Sequence, residues 1–268
     1  MAKKRIGHNF LLIFALYWRN NLKSILIKMK KLFTIAMISA AAIIAGSSCT
    51  PQSNEKIYSS LVSMVEGSYM TGNFYVVFDN GETAFVTNTS AITFKPTIDN
   101  EARAIIYYTI EEDQTKTGFD SVITISAVYG VSVDPVRDIY DHKLGEISDY
   151  KAEIDIMEAY YARNFVNLQI HFQWGATNNS EHSIALVYNS KENHEGVFQP
   201  FYEDDGYLYL ELHHNSNNDP ETNEYVSYVS YKVKPEQINV SLEDYVGIKI
   251  LYKALDGNIR TYKIDFKK

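Results

Sequence analysis

Cysteine is almost absent from this 268-residue chain: there is one, Cys49. A single thiol excludes an intrachain disulfide and a cysteine-built zinc cluster. Acidic side chains are absent from residues 1–48, which hold eight basic ones (Lys3, Lys4, Arg5, Arg19, Lys23, Lys28, Lys30, Lys31). The remainder carries 17 basic and 33 acidic groups, so the net charge of −8 conceals a strongly acidic body. That balance argues against a nucleic-acid partner, because general binding to nucleic acid needs a basic surface that displaces counterions. Also missing are Gly-x-Ser-x-Gly, His-Glu-x-x-His and a phosphate-cradling glycine loop. The chain is therefore read as a non-enzyme, with no catalytic residue, no cofactor and no metal site expected. Hydrophobic residues make up 46%, enough for a sizeable core and too many for a disordered chain.

What is present first is an address. Met29-Lys30-Lys31 is a short basic segment, Leu32 to Ala45 is apolar or small, and Gly46-Ser47-Ser48 precede Cys49. Basic, apolar, small, in that order, is the pattern of a secretory signal. The cysteine directly after the small residues narrows it to a lipoprotein signal, in which Cys49 is acylated and the chain is cut just before it. The box departs from the usual one at Gly46, where an aliphatic residue is common. The apolar run is shorter than the roughly 20 residues that span a bilayer, which argues against an uncleaved anchor. Residues 1–28 hold a second short apolar run, Phe10 to Trp18, and are read as lying upstream of the true start at Met29. Residues 49–56 form a polar tether. The membrane is thus an expected partner through lipid on Cys49, and the outer membrane the expected location. The weak acidity after Cys49 leaves its periplasmic or surface face open.

From Ile57 onward the pattern is of strands. Tyr58–Val65, Phe74–Phe78, Ala84–Val86, Arg103–Ile110 and Phe119–Val133 are five candidates, the last bent near Gly130. Asn80-Gly81 between two apolar runs predicts a two-residue hairpin with both turn residues at positive φ. Five short strands predict a small OB-like barrel over 57–133. Asp134-Pro135 to Leu144 and onward, 134–146, reads as a linker. Seven further candidates follow: 147–161, 165–174, 182–188, 207–213, 225–233, 247–252 and 259–266. Leu208, Leu210 and Leu212 alternate with Tyr207, Tyr209 and Glu211, as on a half-buried strand. These predict an antiparallel β-sandwich over 147–268, so the fold class is all-β.

The order of motifs resembles the NigD-like lipoprotein family. The resemblance rests on the signal, on Phe74-Tyr75-Val76-Val77-Phe78-Asp79-Asn80-Gly81 and on Arg103-Ala104-Ile105-Ile106-Tyr107-Tyr108-Thr109-Ile110. It continues through Asp205-Gly206-Tyr207-Leu208-Tyr209-Leu210-Glu211-Leu212-His213-His214-Asn215, Asp219-Pro220 and Tyr262-Lys263-Ile264-Asp265-Phe266-Lys267. It covers residues 57–268. It implies an OB-like domain followed by a β-sandwich, brings no catalytic residues, and carries the expectation of a bacteriocin-immunity type of role by association.

Three groups of residues invite chemistry. His213-His214 would attract a metal, but neighbours on a strand point to opposite faces and cannot share an ion. Asn215, Asn217, Asn218 and Asp219 form an oxygen-rich candidate ligand loop, without the spacing of a calcium loop. Glu111-Glu112-Asp113 and Glu203-Asp204-Asp205 resemble acid–base pairs but fall at expected hairpin tips, where solvated charge is ordinary. Twenty of the 21 tyrosines follow Cys49; exposed rings such as Tyr160, Tyr161 or Tyr207 would suit a sugar or a protein partner. The leading expectation is a non-catalytic interaction role with an envelope protein; the alternative is an outer-membrane lipoprotein that binds a glycan.

Overall fold

The computed structural model describes residues 56–68, 73–92, 101–144, 150, 152–175, 182–219 and 222–266. The expected signal segment, Cys49 and nearly all of the 49–56 tether lie outside the described residues. Glu55–Lys268 forms one compact unit.

The first five strands are β1 (Tyr58–Ser68), β2 (Asn73–Phe78), β3 (Thr83–Val86), β4 (Glu101–Ile110) and β5 (Ser121–Pro135). β1 pairs antiparallel with β2 and β4, β2 with β3, and β4 with β5. A parallel pairing of β3 with β5 closes the ring in the order β1-β2-β3-β5-β4. Closure removes sheet edges that would otherwise invite aggregation. Strand alternation sends Val62, Met64, Val76, Ala84, Ile106 and Ile123 inward, all buried. This is the expected five-stranded barrel.

Two local expectations are corrected. The Asn-Gly hairpin is a three-residue loop, Asp79–Gly81, in which Gly81 N–H donates to the Phe78 carbonyl at 2.9 Å. Gly81 alone lies at positive φ, +94°, and the Asn80 carboxamide accepts from Glu82 N–H at 3.0 Å. A type I turn followed by a left-handed glycine meets the strand twist, so the second positive φ is not needed. The irregularity in β5 lies opposite the Tyr107/Tyr108 step and not at Gly130. Ser126 is the extra residue there, and its hydroxyl donates to the Tyr107 carbonyl at 3.0 Å.

The segment expected as a linker is built into the second lobe. β5 runs on to Pro135 and pairs in parallel with Val229–Lys232. Val136 is fully buried, and its N–H donates to the Lys232 carbonyl at 2.9 Å. The two-residue β6 (Arg137–Asp138) then pairs with the end of a sandwich strand. Proline stands at the end of the ladder, where its missing N–H removes no strand bond.

The sandwich comprises β7 (Asp155–Ala162), β8 (Phe165–Trp174), β9 (Ser183–Tyr188), β10 (Tyr207–Asn215), β11 (Asn223–Lys232), β12 (Gly247–Lys253) and β13 (Ile259–Asp265), with β6 at one edge. β11-β8-β7 continue the sheet of the barrel, and β13-β12-β10-β9-β6 form the opposing sheet. Leu168, Ile170, Leu186, Leu210, Leu212 and Ile250 fill the space between. Each such side chain contributes roughly 1.5–3 kcal/mol through burial. The strand expected from 147 begins later, at Asp155. A bulge after Ile156 leaves Met157 54% exposed.

A buried polar cluster joins the lobes. Arg103, 1% exposed, donates to both Asp79 oxygens at 2.7 and 2.8 Å, to Asn167 Oδ1 at 2.9 Å and to Ser63 Oγ at 3.2 Å. Tyr160 OH donates to Asp79 at 2.8 Å, and Ser230 Oγ to Asn167 Oδ1 at 2.8 Å. The guanidinium lies 5.0 Å from the Phe165 ring centroid. Ser63, Asp79 and Arg103 come from the barrel, while Tyr160, Phe165, Asn167 and Ser230 come from the sandwich. Glu101 repeats the theme by accepting from Arg163 at 2.7 Å and Lys232 at 3.4 Å. A buried guanidinium is tolerated only when paired in this way: both terminal nitrogens of Arg103 have acceptors, and its buried Nε alone has none.

Candidate functional site

β10 positions the chemistry of the sandwich, and its two faces differ. On the core-side face, His214 is 2% exposed. Its Nδ1 lies 2.8 Å from the Glu153 carbonyl, an acceptor only, so that nitrogen carries the proton. Its Nε2 lies 2.8 Å from His182 Nδ1, and His182 Nε2 lies 3.0 Å from Asp219 Oδ2. Asp219 also accepts from Gly175 N–H. Burial, reinforced by His182 and opposed by the bond to Glu153, lowers the His214 pKa to about 4. This relay ties the end of β8, the start of β9 and the end of β10 together.

The expected ligand loop is thereby placed. Asp219 turns inward with a fully buried side chain. Asn217 and Asn218 are exposed at φ +51° and +60°, and Asn215 Oδ1 accepts from Asn217 N–H at 2.9 Å. These are the features of an asparagine turn. None of the four lines either cavity described below.

On the opposite face, Glu211 is 2% exposed. It accepts from His213 Nε2 at 2.7 Å, from Asn189 Nδ2 at 2.9 Å and from Tyr202 OH at 2.9 Å. Burial raises a carboxyl pKa, but the contacts from His213, Asn189 and Tyr202 outweigh it and hold Glu211 below the usual range. His213 and His214 thus serve different networks, as strand alternation requires. Asn189 and Tyr202 belong to the long β9–β10 connection, so Glu211 fastens that connection onto the sheet.

The consequence is an ordered aromatic stack. Tyr202 lies 4.0 Å from His194 at 11° and 5.0 Å from Tyr209 at 28°. His194 is held by Nδ1, which donates to the Asn189 carbonyl at 2.8 Å. Burial and then the charge of Glu211 push the Tyr202 hydroxyl far above the ordinary phenol range, so it stays a donor. Tyr209 OH accepts from Lys249 Nζ at 2.9 Å, and Lys249 also binds Glu203 at 2.7 Å and Asp205. Its ammonium sits over the Tyr207 and Tyr209 rings at 5.4 and 5.2 Å from their centroids. The acidic triplet 203–205 is therefore partly neutralised by Lys249, where the sequence suggests free charge at a tip.

Beside this stack opens a cavity of about 330 Å³. His194, Tyr202, Glu203 and Asp204 come from the β9–β10 connection, and Tyr207, Leu208 and Tyr209 from the start of β10. Tyr188 at the end of β9 and Tyr245 before β12 complete the wall. β9 pairs with β10 only from Glu211 to Asn215, so the strands part there and leave the space. Gly247 sets the Tyr207 end of the wall. A methyl on it would stand 2.2 Å from the Ile264 carbonyl oxygen and 2.8 Å from the Tyr207 ring. A second cavity of about 490 Å³ lies at the seam, with Asp79 and Tyr160 in its wall, both committed to the Arg103 cluster.

Sequence reasoning singled out Tyr207 and the acidic triplet but missed Glu211, Tyr202, His194 and the meeting of His182 with Asp219. His171 stays apart, 3.8 Å from Glu224. Among the described residues, no group of three or more histidine and carboxylate side chains is arranged to hold a metal ion.

Comparison with known proteins bears on the sandwich first. Residues 140–266 match the family profile described as NigD-like C-terminal beta sandwich domain. The sandwich is thus similar to a NigD-like domain. Solved structures extend the likeness to barrel and sandwich together. A protein of unknown function from Bacteroides vulgatus aligns at TM-score 0.60 and 20% identity, over 80% of this chain and 92% of that one. A candidate lipoprotein from Bacteroides fragilis aligns at 0.54 and 16%, over 80% and 99%. A candidate toxin-related protein from Parabacteroides distasonis aligns at 0.55 and 17%, over 79% and 94%. At these identities the likeness speaks to the fold. No protein of curated function matches the chain. The sandwich, which matches that profile, carries the cavity, the Glu211 cluster and the histidine relay.

Proposed function

We propose that the protein is a cell-envelope lipoprotein that binds a partner without transforming it. The observation that carries this reading is the cavity beside β10, walled by tyrosines and an aromatic stack. The carboxylate nearest the stack, Glu211, is saturated by three donors. Glu203 and Asp205 are engaged by Lys249. Carboxylates tied in this way hold a binding wall in place and are poor general acids or bases. The lipoprotein part of the reading draws on the motif at Cys49 and on the similarity in fold to the candidate lipoprotein from Bacteroides fragilis. The more specific reading is protection against a bacteriocin at the outer membrane, motivated by the NigD-like sandwich.

Radiolabelled palmitate enters the native protein and not Cys49→Ala if the address is right. Affinity capture from intact envelopes with the full chain retrieves a partner that Tyr202→Ala loses. Equal capture by both proteins contradicts binding at this cavity. A deletion strain challenged with bacteriocins of neighbouring strains becomes more sensitive; unchanged sensitivity removes the protective version.

A further inference from the structure

We infer that the cavity beside β10 seats a neutral sugar residue of a glycan, an assignment that rests on the binding reading above. Its volume, about 330 Å³, lies at the low end of the range of roughly 300–1,000 Å³ for small-molecule sites. It suits one ring-sized unit, with the rest of a chain left in solvent.

The chemistry of the wall selects among ligand classes. An anion would approach Glu203 and Asp204, while the nearest ammonium, Lys249, is already held by Glu203, Asp205 and Tyr209. A cation would seek ring faces, but two lysines of the protein already occupy those of Tyr207 and Tyr209. Lys249 lies over Tyr207 and Tyr209, and Lys263 lies 4.8 Å from the Tyr207 centroid. What remains is suited to hydroxyl groups. The phenols of Tyr188 and Tyr245 come from different connections, and neither makes a hydrogen bond among the described residues. Both line the same cavity, and Tyr245 adds to the effect of burial in raising the Tyr188 pKa, which places the two phenols near each other. A phenol both donates and accepts, and the Asp204 carboxylate accepts. A sugar hydroxyl likewise does both, whereas an ammonium only donates. The His194 end of the stack offers a flat apolar surface for the C–H face of a sugar ring.

The test uses the full chain in detergent micelles on an array of neutral, acidic and aminated oligosaccharides. The expected result is retention on neutral glycans only. Tyr188→Phe with Tyr245→Phe, which keeps both rings and removes two hydroxyls, should weaken retention about tenfold. Tyr140→Phe, on the exposed surface, should leave it unchanged. Unaltered thermal unfolding of the double variant separates lost binding from lost fold. Retention only on aminated or acidic glycans overturns the assignment, as does an undiminished double variant. A blank array overturns it too; the binding reading then still stands if the double variant loses its partner in envelope capture, and falls with it if capture is unchanged.

Discussion

Two buried charged clusters, one at the seam between the lobes and one under the β9–β10 connection, solve the same problem differently. At the seam, Arg103 meets the full opposite charge of Asp79, and neutral groups from both lobes add further hydrogen bonds. Beneath the connection, Glu211 meets a histidine, an amide and a phenol. The seam fixes one folded lobe to another, with strands β5 and β11 continuing between them. The Glu211 cluster fastens only a segment of short turns onto an existing sheet. The difference assigns them roles: the first makes the two lobes one body, and the second shapes a wall that a ligand meets. Binding elements are drawn from the less stable parts of a fold.

The comparison can be broken most forcefully at the seam. Arg103→Met removes the cation and leaves Asp79, Asn167 and Tyr160 facing an apolar stem. Unfolding in urea should show a loss of about 3–5 kcal/mol. Arg103→Met with Asp79→Leu should recover much of it, because the stranded charge is gone. A loss below about 1 kcal/mol for the single variant would mean that the seam is not what joins the lobes.

The histidine relay on the other face of β10 supplies the next effect, and its sign follows from proton counting. Unfolded His214 takes a proton below its ordinary pKa of 6.5, whereas folded His214 takes one only near pH 4. The unfolded chain therefore binds more protons between these values, and stability falls as pH drops through that window. The full effect is roughly 3 kcal/mol and is absent above pH 7. Urea unfolding of the native protein and His214→Asn at pH 7.5, 5.5 and 4.5 checks it: the native protein should lose more on acidification. Parallel losses would exclude the relay as the cause.

Glu211→Gln sharpens the contrast on the binding side. It should cost about 1–3 kcal/mol, the price of leaving buried donors imperfectly paired. Hydrogen exchange should speed up in residues 189–206 while the Arg103 strands keep their protection. Tyr202→Phe is the smallest change, about 1 kcal/mol, and should be visible in the same exchange pattern.

Much of this architecture can be read from local pattern. The bounds of β8, Phe165–Trp174, coincide with those expected, because its apolar residues alternate with polar ones and Asn164 and Gly175 bracket the run. The alternation in Tyr207–His213 separates the faces of His213 and His214 without any structure. The existence of the Asn80-Gly81 turn is equally local, although its type depends on how the flanking strands twist. What pattern does not reveal is which distant residues meet. Arg103 reads as an exposed charge until Asp79 and Asn167, 24 and 64 residues away, are brought to it. Glu211 reads as the outer face of a half-buried strand until the β9–β10 connection covers it. His182 lies 32 residues from His214, and only the antiparallel register of β9 on β10 makes them neighbours. The cavity is assembled from four separate stretches, so no spacing in the sequence announces it.

The most direct test compares hydrogen exchange of the protein in isolated envelopes with that of the purified full chain in detergent. Partner binding at the tyrosine wall predicts slower exchange in envelopes around Tyr188, 194–209 and Tyr245, with the barrel strands unchanged. Identical exchange in those segments, or protection confined to the barrel, would contradict the account.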